Sequence, residues 1–111
     1  MSGYVPRKGD LITLSFDPQT GHEQQERRPA LVVSNDLFNR GTGLCMVCPV
    51  TRTARQHPFH VPVPEGGRIT GVVMSEQLKS LDYRARDARH VDAAPQELLD
   101  EVLAILDAVL Y

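Results

Sequence analysis

The chain has 111 residues, 41% apolar and 23% charged, with a formal net charge of −2. That length holds one domain, residues 1–111, and leaves no room for a second. No apolar run approaches the ~18–20 residues that cross a bilayer, and Met1 to Lys8 carries no signal-peptide block, so a cytoplasmic protein is expected.

Arg7-Lys8-Gly9-Asp10 reads as a turn that launches a first strand from Leu11 to Phe16. Ile12, Leu14 and Phe16 share one face of it, with Thr13 and Ser15 on the other. Asp17-Pro18-Gln19-Thr20-Gly21 ends the strand. The polar loop from Asp17 to Arg27 has eleven residues, against ~2–5 for a plain hairpin, and loops of that length in small domains are often functional. The second strand runs from Ala30 to Ser34. Arg28 stands at its root, where a scaffold-held guanidinium can face a phosphate. Asn35 or Ser34 caps a short helical turn through Asp36-Leu37-Phe38-Asn39, closed by Gly41 and Gly43.

The third strand, Leu44 to Thr51, is nearly all apolar, which implies burial on both faces. Its two cysteines, Cys45 and Cys48, then point to opposite faces as buried structural thiols. A zinc ribbon would need a second pair or histidines at ligand spacing, which the reading does not find, so no metal or other cofactor is expected. A second polar loop, Arg52 to Pro58, precedes a fourth strand from Phe59 to Val63, with Phe59, Val61 and Val63 inward. Gly71 to Ser75 is the fifth strand, and Lys79-Ser80-Leu81 a short segment before the basic stretch Tyr83-Arg84-Ala85-Arg86. A helix runs from Pro95 to about Leu110, with Leu98, Val102, Ile105, Leu106 and Val109 as its core stripe and Leu99, Leu103 and Leu110 beside it. So wide an apolar face invites a second surface, and a homodimer contact is one way to cover it. Short strands, two polar loops and a terminal helix together predict a mostly β fold, a small bent antiparallel barrel with a helical appendage.

Charge is unevenly spread. From Val91 onward there are five acids and no Lys or Arg, so the first ninety residues carry nine acids against twelve bases, or +3. The cations group as Arg27 with Arg28, Arg52 with Arg55, and Lys79 with Arg84, Arg86 and Arg89. A basic surface of this kind is compatible with a polyanion. Arg27 reads as a solvated charge or a general phosphate attractor. His22 and His57 lie in the two long loops and have the pKa to shuttle protons; His60 and His90 read as structural.

Several segments resemble the MazF (also PemK or Kid) family of toxin ribonucleases. They are Tyr4-Val5-Pro6, Gly9-Asp10-Leu11-Ile12, Phe16-Asp17-Pro18, Gly21-His22-Glu23-Gln24 and Arg28-Pro29-Ala30-Leu31-Val32-Val33-Ser34, continued by Pro49-Val50-Thr51, Pro58-Phe59, Gly71-Val72-Val73, Gln77-Leu78-Lys79-Ser80, Arg84-Ala85-Arg86 and Ala94-Pro95. The blocks follow in order over almost the whole chain. The resemblance implies an SH3-like barrel of the CcdB/PemK type, a homodimer, and metal-independent cleavage of single-stranded RNA at short sequences. It also implies a MazE-like antitoxin whose acidic, disordered tail covers the RNA groove, with DNA reached only through that antitoxin. The family's catalytic positions map onto Arg28, Thr51 and Glu23. RNA contacts are expected from His22, Gln24, Arg52, Arg55 and His57 in the loops, and from Gln77, Lys79, Ser80, Arg84 and Arg86 in the last block. Two other readings compete: a CcdB-like gyrase-binding toxin, disfavoured because such toxins use a C-terminal tryptophan and this chain has none, and an inactive relative that only binds RNA or a partner.

Overall fold

The computed structural model of the chain describes residues 3–15, 27–53 and 57–111. Phe16, the 17–26 part of the first long loop and Arg55 lie outside them. The described elements are β1 (Asp10–Ser15), β2 (Arg27–Val32), α1 (Asp36–Thr42), β3 (Leu44–Thr51), β4 (His60–Pro62), β5 (Val72–Met74), a 3-10 turn (Ser75–Gln77), β6 (Lys79–Asp82), β7 (Arg89–Ala93) and α2 (Gln96–Leu110). The strands make one antiparallel sheet in the order β4-β5-β3-β2-β1-β7, with β6 also paired to β3.

β3 is the hub. One edge pairs with β2 through Ala30↔Pro49 to Val32↔Val47. Its other edge is shared, with Leu44 to Val47 against β6 and Val50 and Thr51 against β5. Two partners on one edge require the sheet to bend. Alternation along β3 then feeds two cores, with Cys48 and Val50 in one and Cys45 and Val47 in the other. The first core is covered by α2 through Leu98, Leu99, Val102 and Leu106. Tyr4, Val5 and Tyr83 close over the second. The cysteines are therefore buried on opposite faces, as the spacing predicts.

Asn35 caps α1 by accepting from the Phe38 N–H at 2.9 Å, and Gly43, at φ 77°, closes it. Asn39 is fully buried, yet its amide donates to the Pro6 and Ser34 carbonyls and accepts from the Ser34 hydroxyl. The Tyr83 hydroxyl donates to its backbone carbonyl. With both ends satisfied, this polar side chain joins the N-terminal segment, α1 and the β6–β7 turn at little desolvation cost.

Four expectations need correction. β2 begins at Arg27 rather than Ala30, because Leu14↔Arg28 and Ser15↔Arg27 extend its ladder with β1. Pro29 is tolerated there because β2 is paired on one side only before Ala30. Phe59 is 39% exposed and precedes β4; the turn that places it there is closed by its own N–H donating to His57 Nδ1 at 3.2 Å. β7 was not foreseen, because Arg89, His90 and Asp92 hide any apolar alternation, and the strand exists by pairing with β1. On α2, Leu99 is buried while Val109 is 51% exposed, so the buried stripe sits nearer the N-terminal end than expected.

Candidate active site

Arg28 lies inside a strand, and two neighbours fix its direction. Leu14 is opposite it on β1. The β2–β3 pairing ends at Ala30↔Pro49, and Arg28 and Thr51 each lie two residues beyond it on their own strand. By strand alternation both side chains leave the sheet on the face that holds Ala30 and Val47, at its open end. The Arg28 side chain is exposed and makes no hydrogen bond or ion pair to another described residue. Thr51 is half-buried, and its Oγ1 accepts from the Thr53 N–H at 3.2 Å. That contact occupies a lone pair and leaves the hydroxyl proton to be donated outward.

The neighbouring Arg27 is built differently. Its guanidinium donates to the Thr13 carbonyl at 2.8 Å and to the Asp87 carbonyl at 2.6 Å. It also pairs with the Asp87 carboxylate at 3.3 Å. Asp87 has φ 52°, a left-handed conformation that a non-glycine residue needs help to hold. Arg27 is thus a clamp on the β6–β7 turn. The Arg86 guanidinium donates to the Ser15 carbonyl at 3.2 Å, and the Ser15 N–H donates to the Arg86 carbonyl at 2.9 Å. Arg86 ties the same turn to the end of β1, so a structural task accompanies any contact it makes with RNA.

Of the other expected contacts, Lys79 stands opposite Val47 on β6. Alternation puts it on the face shared by Thr51 and Arg28, flanking β3 from the other side, while Ser80, opposite Met46, leaves the other face. Arg52, Gln77 and Arg84 are exposed. Arg84 sits in a turn whose first N–H groups are taken by the Asp82 carboxylate. Glu23, His22, Gln24 and Arg55 lie outside the described residues. A cleft of about 300 Å³ lined by Leu11, Val63, Ile69, Asp92 and Pro95 contains none of the expected site residues.

Two features escaped the sequence reading. Gly71 has φ +126°, and a Cβ there would stand 2.3 Å from the Thr51 carbonyl oxygen. Only glycine lets β5 approach β3 closely enough to hold Thr51 in place; the glycine itself was the available signal. The second is a cluster of His57, His60 and Glu76. The histidine rings stack with centroids 4.4 Å apart, and His60 Nε2 is 3.1 Å from Glu76 Oε2. His57 and His60 are three residues apart, closer than the histidine spacing of a zinc finger. The cluster's carboxylate comes from sixteen residues further on, which local spacing could not reveal.

The family described as "PemK-like, MazF-like toxin of type II toxin-antitoxin system" matches residues 7–110. The chain is 43% identical over 99 residues to the endoribonuclease toxin MazF of Escherichia coli K12, covering 88% of each chain. A crystal structure of MazF from Deinococcus radiodurans superposes with TM-score 0.86 at 46% identity, over 96% of this chain and 97% of that one. A MazE–MazF crystal structure from the same organism aligns with TM-score 0.85 at 41% identity, over 96% of each chain.

Proposed function

The chain belongs to the PemK-like, MazF-like family of type II toxins, and from that membership we propose that it is a sequence-specific endoribonuclease toxin cutting single-stranded RNA in the cytoplasm. The observation that supports the reading is that strand alternation sends Arg28 and Thr51 to the same face of the sheet, at the end of the β2–β3 pairing, with Lys79 on that face across β3. In this reading the ribose 2′-OH attacks the adjacent phosphorus to close a 2′,3′-cyclic phosphate, and the P–O5′ bond breaks as the 5′-oxygen takes a proton from water. A phosphorane with extra negative charge lies between. Arg28 presents a planar cationic fork to its non-bridging oxygens, and Thr51 adds a neutral hydrogen bond from its hydroxyl. A guanidinium keeps its proton at neutral pH, so Arg28 acts electrostatically and Glu23 is assigned the proton of the 2′-OH. No step in this scheme calls for a metal.

Arg52, Arg55, His57, Gln77, Lys79 and Arg84 are assigned to hold the RNA backbone, and His22 and Gln24 to the loop that meets the bases. The inhibitor in this reading is a MazE-like antitoxin, consistent with the MazE–MazF pairing seen in the Deinococcus relative. Its acidic tail would suit the +3 carried by the first ninety residues. A homodimer is part of the same proposal; Val109 and Leu110 on α2 leave apolar surface for a second copy.

Purified protein incubated with a long RNA in EDTA should cut at a limited set of sites and leave the same sequence as DNA intact, since DNA lacks the 2′-OH. Arg28→Ala should lower cleavage by about 100-fold or more, the scale of losing one transition-state donor. RNA that survives the wild type, or is cut equally by the variant, would refute the mechanism.

A further inference from the structure

We propose that His57, His60 and Glu76 form a binding site for a divalent transition-metal ion, with zinc the best match, that staples the β3–β4 loop to the turn after β5. The site shares His57 with the RNA contacts assigned above, but the metal binding proposed for it does not depend on them. One ligand-type atom from each of the three residues lies within 4.8 Å of the others. Two imidazoles and one carboxylate make the open three-ligand set that zinc accepts, with its remaining position left to water.

The backbone already holds most of the geometry. His60 is opposite Met74 in the β4–β5 ladder, and the Ser75 N–H donates to the Phe59 carbonyl at 3.2 Å. Glu76 follows directly, so His60 Nε2 and Glu76 Oε2 stand 3.1 Å apart. Two ligands ~2.0–2.1 Å from a tetrahedral zinc have nearly that separation. His57 is the exposed, adjustable member. Closing the site asks it to turn its ring and give up the 3.2 Å contact with the Phe59 N–H.

His60 also has an unused lone pair. Its side chain is 7% exposed, and its Nδ1 is buried with no hydrogen-bond partner among the described residues. In one tautomer Nε2–H donates to Glu76 and the buried Nδ1 lone pair has nothing to accept from. In the other, Nε2 turns a lone pair toward a carboxylate, a repulsion that a cation between them would remove. A metal bound through Nε2 relieves the second arrangement, while Nδ1 keeps no partner among the described residues in either.

Zinc titrated calorimetrically into tag-free protein should bind at one site per chain and raise the thermal unfolding midpoint. His57→Ala and Glu76→Gln, each checked for folding by circular dichroism, should weaken binding by about tenfold or more, and the double variant should lose both the heat and the thermal shift. His60 is left unchanged because its buried ring also packs the strand. No saturable binding by the wild type, or unchanged affinity in the double variant, overturns the site. Because metal occupancy is the readout, a failure of the RNA-cleavage reading leaves this result standing.

Discussion

Successive residues of a strand point to opposite faces, so the Arg27–Arg28 doublet sends one guanidinium to Thr13 and Asp87 and the other to the open face beside Thr51. Charge alone cannot separate the two side chains, and the resemblance singled out only one of them. Register explains the difference. Arg27→Ala should lower unfolding free energy by about 1–2 kcal/mol, discounted for the exposed Asp87 carboxylate, since it removes two carbonyl contacts and releases a left-handed turn. Arg28→Ala should change stability by under about 0.5 kcal/mol. Urea unfolding of the two variants tests the contrast; equal losses would mean that Arg28 has a structural task too.

At the scale of elements, β3 and β5 position the hydroxyl of the candidate pair. Gly71→Ala meets both a φ of +126° and the Thr51 carbonyl at 2.3 Å. We expect a loss of about 1–3 kcal/mol in stability, together with RNA cleavage that falls further than the unfolded fraction explains. Gly66→Ala is the control, since Gly66 has φ +107° but open space around its would-be Cβ. It should be strained yet keep the specific activity of the folded fraction. Parallel losses in the two variants would remove Gly71 from any part in placing Thr51. The element boundaries themselves were legible where apolar character ran unbroken, as in β3, which matches its predicted limits of Leu44 and Thr51. β7 was hidden because an edge strand built from Arg89, His90 and Asp92 takes its structure from its neighbour rather than from its own side chains.

The molecule as a whole is two cores back to back on one sheet, sharing β3. Burial pushes both cysteine thiols up to about 12, with Glu76 adding to the effect at Cys48. At neutral pH neither is a thiolate, so both should resist alkylation in the native protein. Because they report on different cores joined by one strand, both should become reactive over the same denaturant range. Mass spectrometry of trapped adducts would show this, and a well-populated species alkylated at one cysteine alone would mean that the cores open separately. No helix among the described residues is long and apolar enough to cross a membrane.

What the sequence by itself determined is what short-range pattern can encode. That includes a mostly β domain, a third strand buried on both faces, a short helical turn capped by Ser34 or Asn35, a C-terminal helix, and a set of ordered blocks that resemble one toxin family. Only the tertiary structure decided which charges are free and which are tied. Arg27 became a clamp because strand register, set by long-range pairing, gives it a face and partners, Arg86 a tether because its turn packs on the end of β1, and the Arg28 side chain has no partner among the described residues. The same reason explains the His57–His60–Glu76 cluster. Its members meet because β4 and β5 pair, and no local period connects them.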